Sequence, residues 1–491
     1  MYLPLGTYSP DVKIGFVSAS RNCFPRSLSQ ERSDRILAEV EKRGLSLVVP
    51  QGESFIIESR AHALEAAKQL NAASCDAAVL YLGNFSPEIE DAGFVKAFDG
   101  PVAVMAAAEE SGASLSDKRG DALCGLLSAT LAMKRRGLSE RAYLPQNPIV
   151  TAESGAREIE RFIRVMKVVK GIRGATIGLF GPRPRDFETC NYNLASIASL
   201  GVEIEEYSFF NLVQRVREIS EKGDLNYTAK AMKKDFPGIP EDGFIERLAA
   251  YEKALLSFRD ELRLSGMATQ CWSDQEEVLK HVPCFINARL AAAGFPVACE
   301  NDAYSLVAEL MGQCASDQSV TILDINHSIP QDLHESFHDY PLEDLVGLFH
   351  CGNTDPKRMV NPEMKYQLIM KRLMEPDTPP DITRGTIEGQ IAASPMTMLQ
   401  IQGDGDHAQA YIAQGEFLDL DPQTFGATGT AYIPGFSRFY RHVLLGRFHH
   451  HAAVAFSHCG DILFDAMKLL GIQQIYTPIG KGLYEGENPF C

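Results

Sequence analysis

Short, almost wholly apolar runs alternate with amphipathic helical stretches through much of this 491-residue chain, and that alternation constrains its fold more than any other feature. From Asp11 the segment VKIGFVSAS reads as a strand, and SQERSDRILAEVEKRG as a capped helix ending at a glycine. The rhythm returns in LSLVVP, the helix SRAHALEAAKQLNAA, the strand DAAVLYLG, the strand PVAVMA and a helix near DALCGLLSATLAMKRRG. Strands that each feed a helix build a parallel sheet covered on both faces. The charged helical stretch GAREIERFIRVMKVVKG then leads to a fresh strand, ATIGLFG, which places a boundary near residue 170. The second block holds VEIEEYS, the amphipathic helix GFIERLAAYEKALLSFRDEL, and short strands around MATQCW and FPVACE. Beyond about residue 315, PMTMLQIQ, AQAYIAQGEF, TAYIP, RHVLLGRF and AAVAF are strand-like runs divided by Gly, Asp and Pro turns. The expected class is α/β: two tandem three-layer α/β domains with parallel sheets, at 1–170 and 171–315, followed by a C-terminal β-rich domain at 316–491.

The composition narrows the function. With 47 Lys+Arg against 64 Asp+Glu the net charge is −17, and no basic run interrupts it. A nucleic acid or an anionic membrane surface is therefore not an expected partner. Eleven cysteines are scattered along the chain with no Cys-x-x-Cys pair, as in a reduced, cytoplasmic protein. The opening MYLPLGTYSPDVK lacks the basic and apolar regions of a signal peptide, and no stretch nears the ~18–20 apolar residues of a membrane span. GDGDH at 403–407 reads as a hairpin loop, and Gly480-Lys481-Gly482-Leu483-Tyr484-Glu485-Gly486, though a loose GxGxxG, opens no helix.

Ten of the twelve histidines lie from His327 onward. Histidines gathered among carboxylates point to a metal or acid–base site. The sharper signal is FPVACEND…VTILDIN. A strand ending at Glu300, a helical pattern that Asn301 or Asp302 can cap, and a strand ending at Asp324 read as a βαβ unit. If its strands are parallel neighbours, Glu300 and Asp324 stand side by side at about 5 Å spacing. Such carboxylates repel unless a cation or a shared proton lies between them, which suits a hard divalent metal. The plainer reading makes Glu300 a cap and Asp324 the start of a turn. RFHHHAAVAFSHCGD adds imidazole, as a strand with His449 and His451 on one face and His450 on the other, then a helix capped by Ser457. Imidazole with two carboxylates fits Mn²⁺, Fe²⁺ or Mg²⁺ better than structural zinc, the alternative being a solvated edge strand. His350 ends the run DLVGLFHCGN and could reach the same sheet edge. Arg21 or Arg26, in the loop after the first strand, could bind ligand oxygens, and Gln270 and Trp272 could supply an amide and a stacking face.

With these residues in hand, the chain resembles the L-fucose isomerase and L-arabinose isomerase superfamily, most closely its fucose branch. In that branch an E-N-D-S-L segment is followed, after M-G, by a strand ending in the second metal carboxylate. Here the text is Glu300-Asn301-Asp302-Ala303-Tyr304-Ser305-Leu306, Met311-Gly312, then Asp324 at the same spacing. The family's metal histidine lies seven positions before the histidine of a G-H-V-G-A-D segment, and His451 lies seven before His458. Fainter likeness covers Arg21 to Leu28, Ala268-Thr269-Gln270-Cys271 and His350-Cys351-Gly352. The resemblance implies Glu300, Asp324 and His451 as ligands of Mn²⁺ or another divalent cation such as Mg²⁺, Fe²⁺ or Co²⁺. It implies Glu300 and Asp324 as catalytic acid and base and agrees with Arg21, Gln270 and His350 as sugar-binding residues, to which the reading of the residues adds Trp272 and His450. It also implies a homo-oligomer, a hexamer, whose site borrows from a neighbour's N-terminal domain. His450 stands where the fucose enzymes have asparagine, and one tryptophan stands for several. His350 resembles in placement a metal histidine of the arabinose enzymes, so it could be a fourth ligand or a sugar contact.

An aldose–ketose isomerase takes a proton from C2, returns one to C1 and moves one between O1 and O2, so buried carboxylates beside a Lewis acid are what it needs. The expected substrate is an unphosphorylated sugar such as L-fucose, D-arabinose or L-arabinose, reacting through a cis-enediol. Two other readings stay open: a non-catalytic sugar-binding protein, and a metal-dependent hydrolase or lyase on a sugar derivative.

Overall fold

The rhythm that begins at Asp11 folds as a parallel sheet. The computed structural model describes residues 5–240, 242–335, 339–405, 407–478 and 487–491. Two compact units emerge from their contacts: Asp11–Lys170 with Cys491, and Met1–Pro10 with Gly171–Phe490.

In the first unit the strands are β1 (Ile14–Ala19), β2 (Ile56–Ile57), β3 (Ala77–Leu82), β4 (Val102–Ala107), β5 (Ala142–Tyr143) and β6 (Ile149–Val150), in the order β2-β1-β3-β4-β5 with β6 also on β4. Every pairing is parallel. All residues of β1, β3 and β4 are buried, as continuous apolar strands covered on both faces must be. LSLVVP, expected as a strand, contributes a single bridge from Val48 to Gly15. Pro50 has no N–H to extend that pairing. The order reverses at β1, and the loops leaving β1 and β3 meet there, Arg21 N–H donating to Asn84 Oδ1 at 3.1 Å.

The second unit contains two sheets. The smaller is parallel, with β7 (Thr176–Phe180), β8 (Glu203–Tyr207), β9 (Gly266–Thr269) and β10 (Val297–Ala298) in the order β10-β9-β7-β8. The larger is mixed and mainly antiparallel. Its strands are β11 (Val320–His327), β12 (Leu345–His350), β13 (Met359–Tyr366), β14 (Arg384–Ile391), β15 (Ser394–Asp404), β16 (His407–Phe417), β17 (Ala427–Tyr432), β18 (His451–Ala455) and β19 (Gln474–Tyr476). They run β13-β14-β17-β12-β11-β18-β15-β16-β19. The class is thus α/β with a β-rich C-terminal part. The helix Ala303–Ser316 joins the two sheets, packing on β9 and β10 and on β11, β15 and β18, and it is buried from Ala303 to Ala315.

Three expectations are corrected. Glu300 and Asp324 do not end parallel neighbours of a βαβ unit: β10 belongs to the small sheet, and β11 lies in the large one, antiparallel to β12 and β18. The helix between them faces both sheets and so links two layers rather than two neighbouring strands. RHVLLGRF is not a strand but the end of the helix Phe436–Leu445. Phe436, Phe439 and Val443 are its buried residues, a helical spacing hidden when reading begins at Arg441. The triple histidine also precedes a strand rather than filling one, since β18 begins at His451, and the next helix, Gly460–Leu469, is capped at Cys459 rather than Ser457. Gly403 and Asp404 of β15 pair with Ala408 and His407 of β16, as the two arms of a hairpin do. The glycine-rich stretch at 480–486 lies outside the described residues.

Candidate functional site

Glu300 is placed by its neighbour. After β10 the chain enters a tight turn in which Glu300 and Asn301 both take left-handed φ, 59° and 55°. Asn301 tolerates that conformation and is clamped, its Oδ1 accepting from Phe180 N–H at 3.2 Å and its Nδ2 donating to Gly181 O at 2.6 Å. Glu300 has no such ease, so a left-handed glutamate of about 1–2 kcal/mol strain is held by its surroundings. The turn delivers its carboxylate, 4% exposed, to the N-terminus of the helix Ala303–Ser316. Asp302 caps that helix, accepting from Ser305 N–H at 3.0 Å through Oδ1 and from Ser305 Oγ at 2.6 Å through Oδ2.

Register does the rest. Asp324 in β11 pairs directly with His451, the first residue of β18. His451 Nδ1 lies 2.7 Å from Asp302 Oδ2, and Gln400 Nε2 donates to its carbonyl at 2.9 Å. Its Nε2 stands 3.4 Å from Glu300 Oε2 and 3.5 Å from Asp324 Oδ1. This Nε2 and Asp324 Oδ1 are both buried without a hydrogen-bond partner. Ionisable atoms mix there in three groups sharing His451: Cys190 with Glu300, Asp302 with His449, and Asp324 with His450. Glu300 and Asp324 approach the same nitrogen but share none of these groups.

The other expected residues fall into place unequally. His350, at the end of β12, is buried with its ring centroid 5.8 Å from that of His451. The chain turns away behind it at Gly352, whose φ is +132° and where a Cβ would come within 2.5 Å of Ile387 N. His450 is part exposed, its Nε2 3.8 Å from Asp324 Oδ1, and Phe187 links it by ring contacts to Trp272. Gln270 donates to Asp274 Oδ2 at 3.0 Å and keeps a buried, unpartnered Oε1. Arg21 belongs to the other compact unit, where it donates to Ser86 O and lies 3.7 Å from Glu88. Arg26 likewise pairs with Glu53 and Glu58. A cleft of about 560 Å³ between Ile325–Ile329 and the helix carrying Phe436 and Tyr440 holds none of the acidic cluster. Buried charge, not concavity, marks the site.

Electrostatics sharpen it. Burial pushes Glu300 up to about 7, with His451 pulling down and Asp324 and Asp302 pushing up. Burial likewise lifts Asp324 to about 6 against the pull of His451. Burial opposes a charged His451, yet its hydrogen bond to Asp302, the Cys190 thiol beside it and the nearby carboxylates hold it well above the usual imidazole value. His350, His449 and His450 go the other way, His450 to about 3, because burial disfavours a second imidazolium beside the first. One positive charge therefore belongs on the Nε2 side of His451, as a proton or a metal ion. A carboxylate on Nδ1 with Nε2 free is how metal-binding histidines are oriented. The oxygen and nitrogen donors fit a divalent cation such as Mn²⁺, Fe²⁺, Co²⁺ or Mg²⁺.

Sequence reasoning missed Cys190, with Sγ 3.7 Å from Glu300 Oε2, and the second role of Asp302, which it took only as a cap. No motif surrounds Cys190. The Asp302 contact spans 149 positions, which no local pattern encodes.

Residues 15–173 match the fucose/sulfoquinovose isomerase N-terminal domain, and residues 348–477 match the L-fucose isomerase C-terminal domain. A sulfoquinovose isomerase from Alkalicoccus urumqiensis is 21% identical over 269 residues, which are 54% of this chain and 56% of its own. The chain thus spans about half the length of that curated relative. Because two domains of one family are matched in their proper order, on either side of Glu300 and Asp324 and across His451, this chain belongs to the L-fucose isomerase-like family.

Proposed function

We propose that this protein is a metal-dependent aldose–ketose isomerase acting on an unphosphorylated sugar through a cis-enediol. The observation that carries the reading is the unpartnered, buried Nε2 of His451 between Glu300 and Asp324, with its other nitrogen held by Asp302. Glu300, Asp324 and His451 would hold a divalent cation, Mn²⁺ foremost. When bound, such an ion supplies Lewis-acid stabilisation of charge growing on sugar oxygens. Glu300 and Asp324, whose carboxyls burial lifts when no cation is present, would serve as the base and acid. Between them they carry one proton from C2 to C1 and another between O1 and O2. Burial keeps water from competing for those protons. His350, His450, Gln270 and Trp272 line the approach and contact the sugar, and Arg21 comes from a neighbouring subunit of a hexamer in the cytoplasm. Each chain carries an N-terminal α/β domain over 1–170, a second over 171–315 and a β-rich domain over 316–491. Among the described residues no helix is long and apolar enough to cross a membrane. Light scattering that finds a monomer at micromolar concentration would remove the hexamer.

The test is a panel of free aldoses with Mn²⁺ in heavy water, followed by NMR. L-fucose, D-arabinose and L-arabinose come first, and sulfoquinovose is added because a relative bears its name. Conversion with deuterium at C1 of the ketose or C2 of the aldose is the expected result. No conversion of any aldose, with metal and sugar both bound, would overturn the reading.

A further inference from the structure

Cys190 closes the short turn Glu188–Cys190 and is 2% exposed. Its Sγ is 3.7 Å from Glu300 Oε2, and one atom each from Cys190, Glu300 and His451 lie within 4.8 Å of one another. With Nδ1 on Asp302, the His451 atom left for this group is the buried Nε2, which makes no hydrogen bond of good geometry and faces the Cys190 thiol and Glu300 Oε2. Cys271, Cys284, Cys299 and Cys351 are also buried or nearly so, yet among the described residues none of them joins such a cluster. Donors about 2.0–2.3 Å from a four-coordinate ion stand roughly 3.3–3.5 Å apart. Nε2 to Oε2 at 3.4 Å and Sγ to Oε2 at 3.7 Å are close to that spacing, whereas Asp324, 3.5 Å from Nε2, shares no donor group with Glu300 or Cys190.

We propose that Cys190 is a sulfur ligand of the cation held by Glu300 and His451, and that it adds affinity for Co²⁺, Fe²⁺ and Zn²⁺ that oxygen and nitrogen donors alone would not give. This rests on the reading of the site as a divalent-metal centre. Thiolate is a soft donor, so its presence selects among cations that oxygen donors alone would accept. The step is a ligand exchange without redox: the S–H bond breaks, an S–metal bond forms, and the thiol proton leaves to solvent. A purely structural Cys190 would remain a thiol donating to Glu300.

The full-length, reduced protein is titrated with Co²⁺ under argon and followed by absorbance, beside Cys190→Ser and the exposed-cysteine control Cys124→Ser. The expected result is one Co²⁺ per chain with a near-ultraviolet sulfur-to-cobalt charge-transfer band, kept in Cys124→Ser and lost in Cys190→Ser while the weaker visible cobalt bands persist. Competition binding should show the Zn²⁺ over Mn²⁺ preference falling in Cys190→Ser by at least the roughly 10–100-fold seen when outer-shell partners of a metal are removed. If Cys190→Ser does not fold, Cys190→Ala replaces it, and a wild-type protein whose cobalt spectrum has no charge-transfer band already overturns the proposal. Visible cobalt bands without sulfur character, equal in wild type and variant, would overturn the cysteine ligand and leave the metal centre standing. Failure of wild type to bind Co²⁺, Zn²⁺ or Mn²⁺ at all would overturn both.

Discussion

His451 has both ring nitrogens assigned by its surroundings, and that fixes what each neighbouring carboxylate can do. Glu300→Gln and Asp324→Asn keep shape and remove charge. Each should weaken divalent-cation binding and lower kcat by about 10²–10⁴-fold, the range for loss of general acid–base catalysis, with circular dichroism unchanged. A variant that keeps wild-type kcat would take that residue out of the chemistry. Asp302→Asn tests orientation. It can still accept from Ser305 N–H and so cap the helix, but it loses the charge on His451 Nδ1. Metal affinity should fall about 10–100-fold while thermal stability changes by no more than a cap substitution's ~0.5–2 kcal/mol. Calorimetric metal titration beside a melt separates the two. At this scale the sequence was readable where spacing is rigid: fourteen residues of helix and one strand fix Glu300 against Asp324, and β-register fixes Asp324 against His451. It was silent where a side chain has two faces. Asp302 caps with one oxygen and orients His451 with the other, and only the first is a local signal.

Elements carry a second kind of constraint, seen where β3 turns into the helix Glu88–Ala97. Asp91 on that helix is fully buried, hydrogen-bonded to Ser86 Oγ, and has an unpartnered Oδ1. Burial lifts its carboxyl to about 7, the Ser86 hydrogen bond opposing. A carboxyl whose pKa is higher folded than unfolded gives stability that is full below about 4 and is lost as pH rises to about 7, because the native state holds a proton that the unfolded chain has released. At roughly 1.4 kcal/mol per unit, about three units amount to some 4 kcal/mol. Asp91→Asn should therefore gain on wild type steadily from pH 4 to 7 and keep a constant lead above. Urea melts of both proteins at pH 5 and pH 8 check this, and an equal difference at the two pH values would contradict it. Elements also show where reading by pattern stopped. RHVLLGRF reads as a strand in isolation, yet its first five residues end a helix that starts five residues earlier, at Phe436. Between Glu300 and Asp324 the strand–helix–strand order was legible, but the sheet to which each strand belongs was not. That choice was made by a helix buried on both sides, whose apolar surface has two sheets to cover.

At the scale of the whole molecule, the residues proposed to hold the metal come from one unit only. The turn after β10, the start of the helix Ala303–Ser316, β11 and β18 all lie within Gly171–Phe490, and none of the proposed metal ligands lies within Asp11–Lys170. An ion that binds only the folded site stabilises what it binds by RT ln(1 + [L]/Kd), about 2.7 kcal/mol at a hundred times Kd. That linkage is local when the two units open separately, as compact units with their own cores do. Hydrogen exchange with saturating Mn²⁺ and with chelator should accordingly slow in peptides from Thr321–Ile325, Leu348–His350 and His451–Ala455, by up to about a hundredfold if they open only with the site. Strands β1, β3 and β4 should exchange at the same rate in both conditions, since no donor of the proposed site comes from them. Equal slowing in both units would mean that they open together and that the boundary near Lys170 is not a thermodynamic one. No slowing in either, with one equivalent of Mn²⁺ bound, would mean that the ion sits elsewhere than between Glu300, Asp324 and His451.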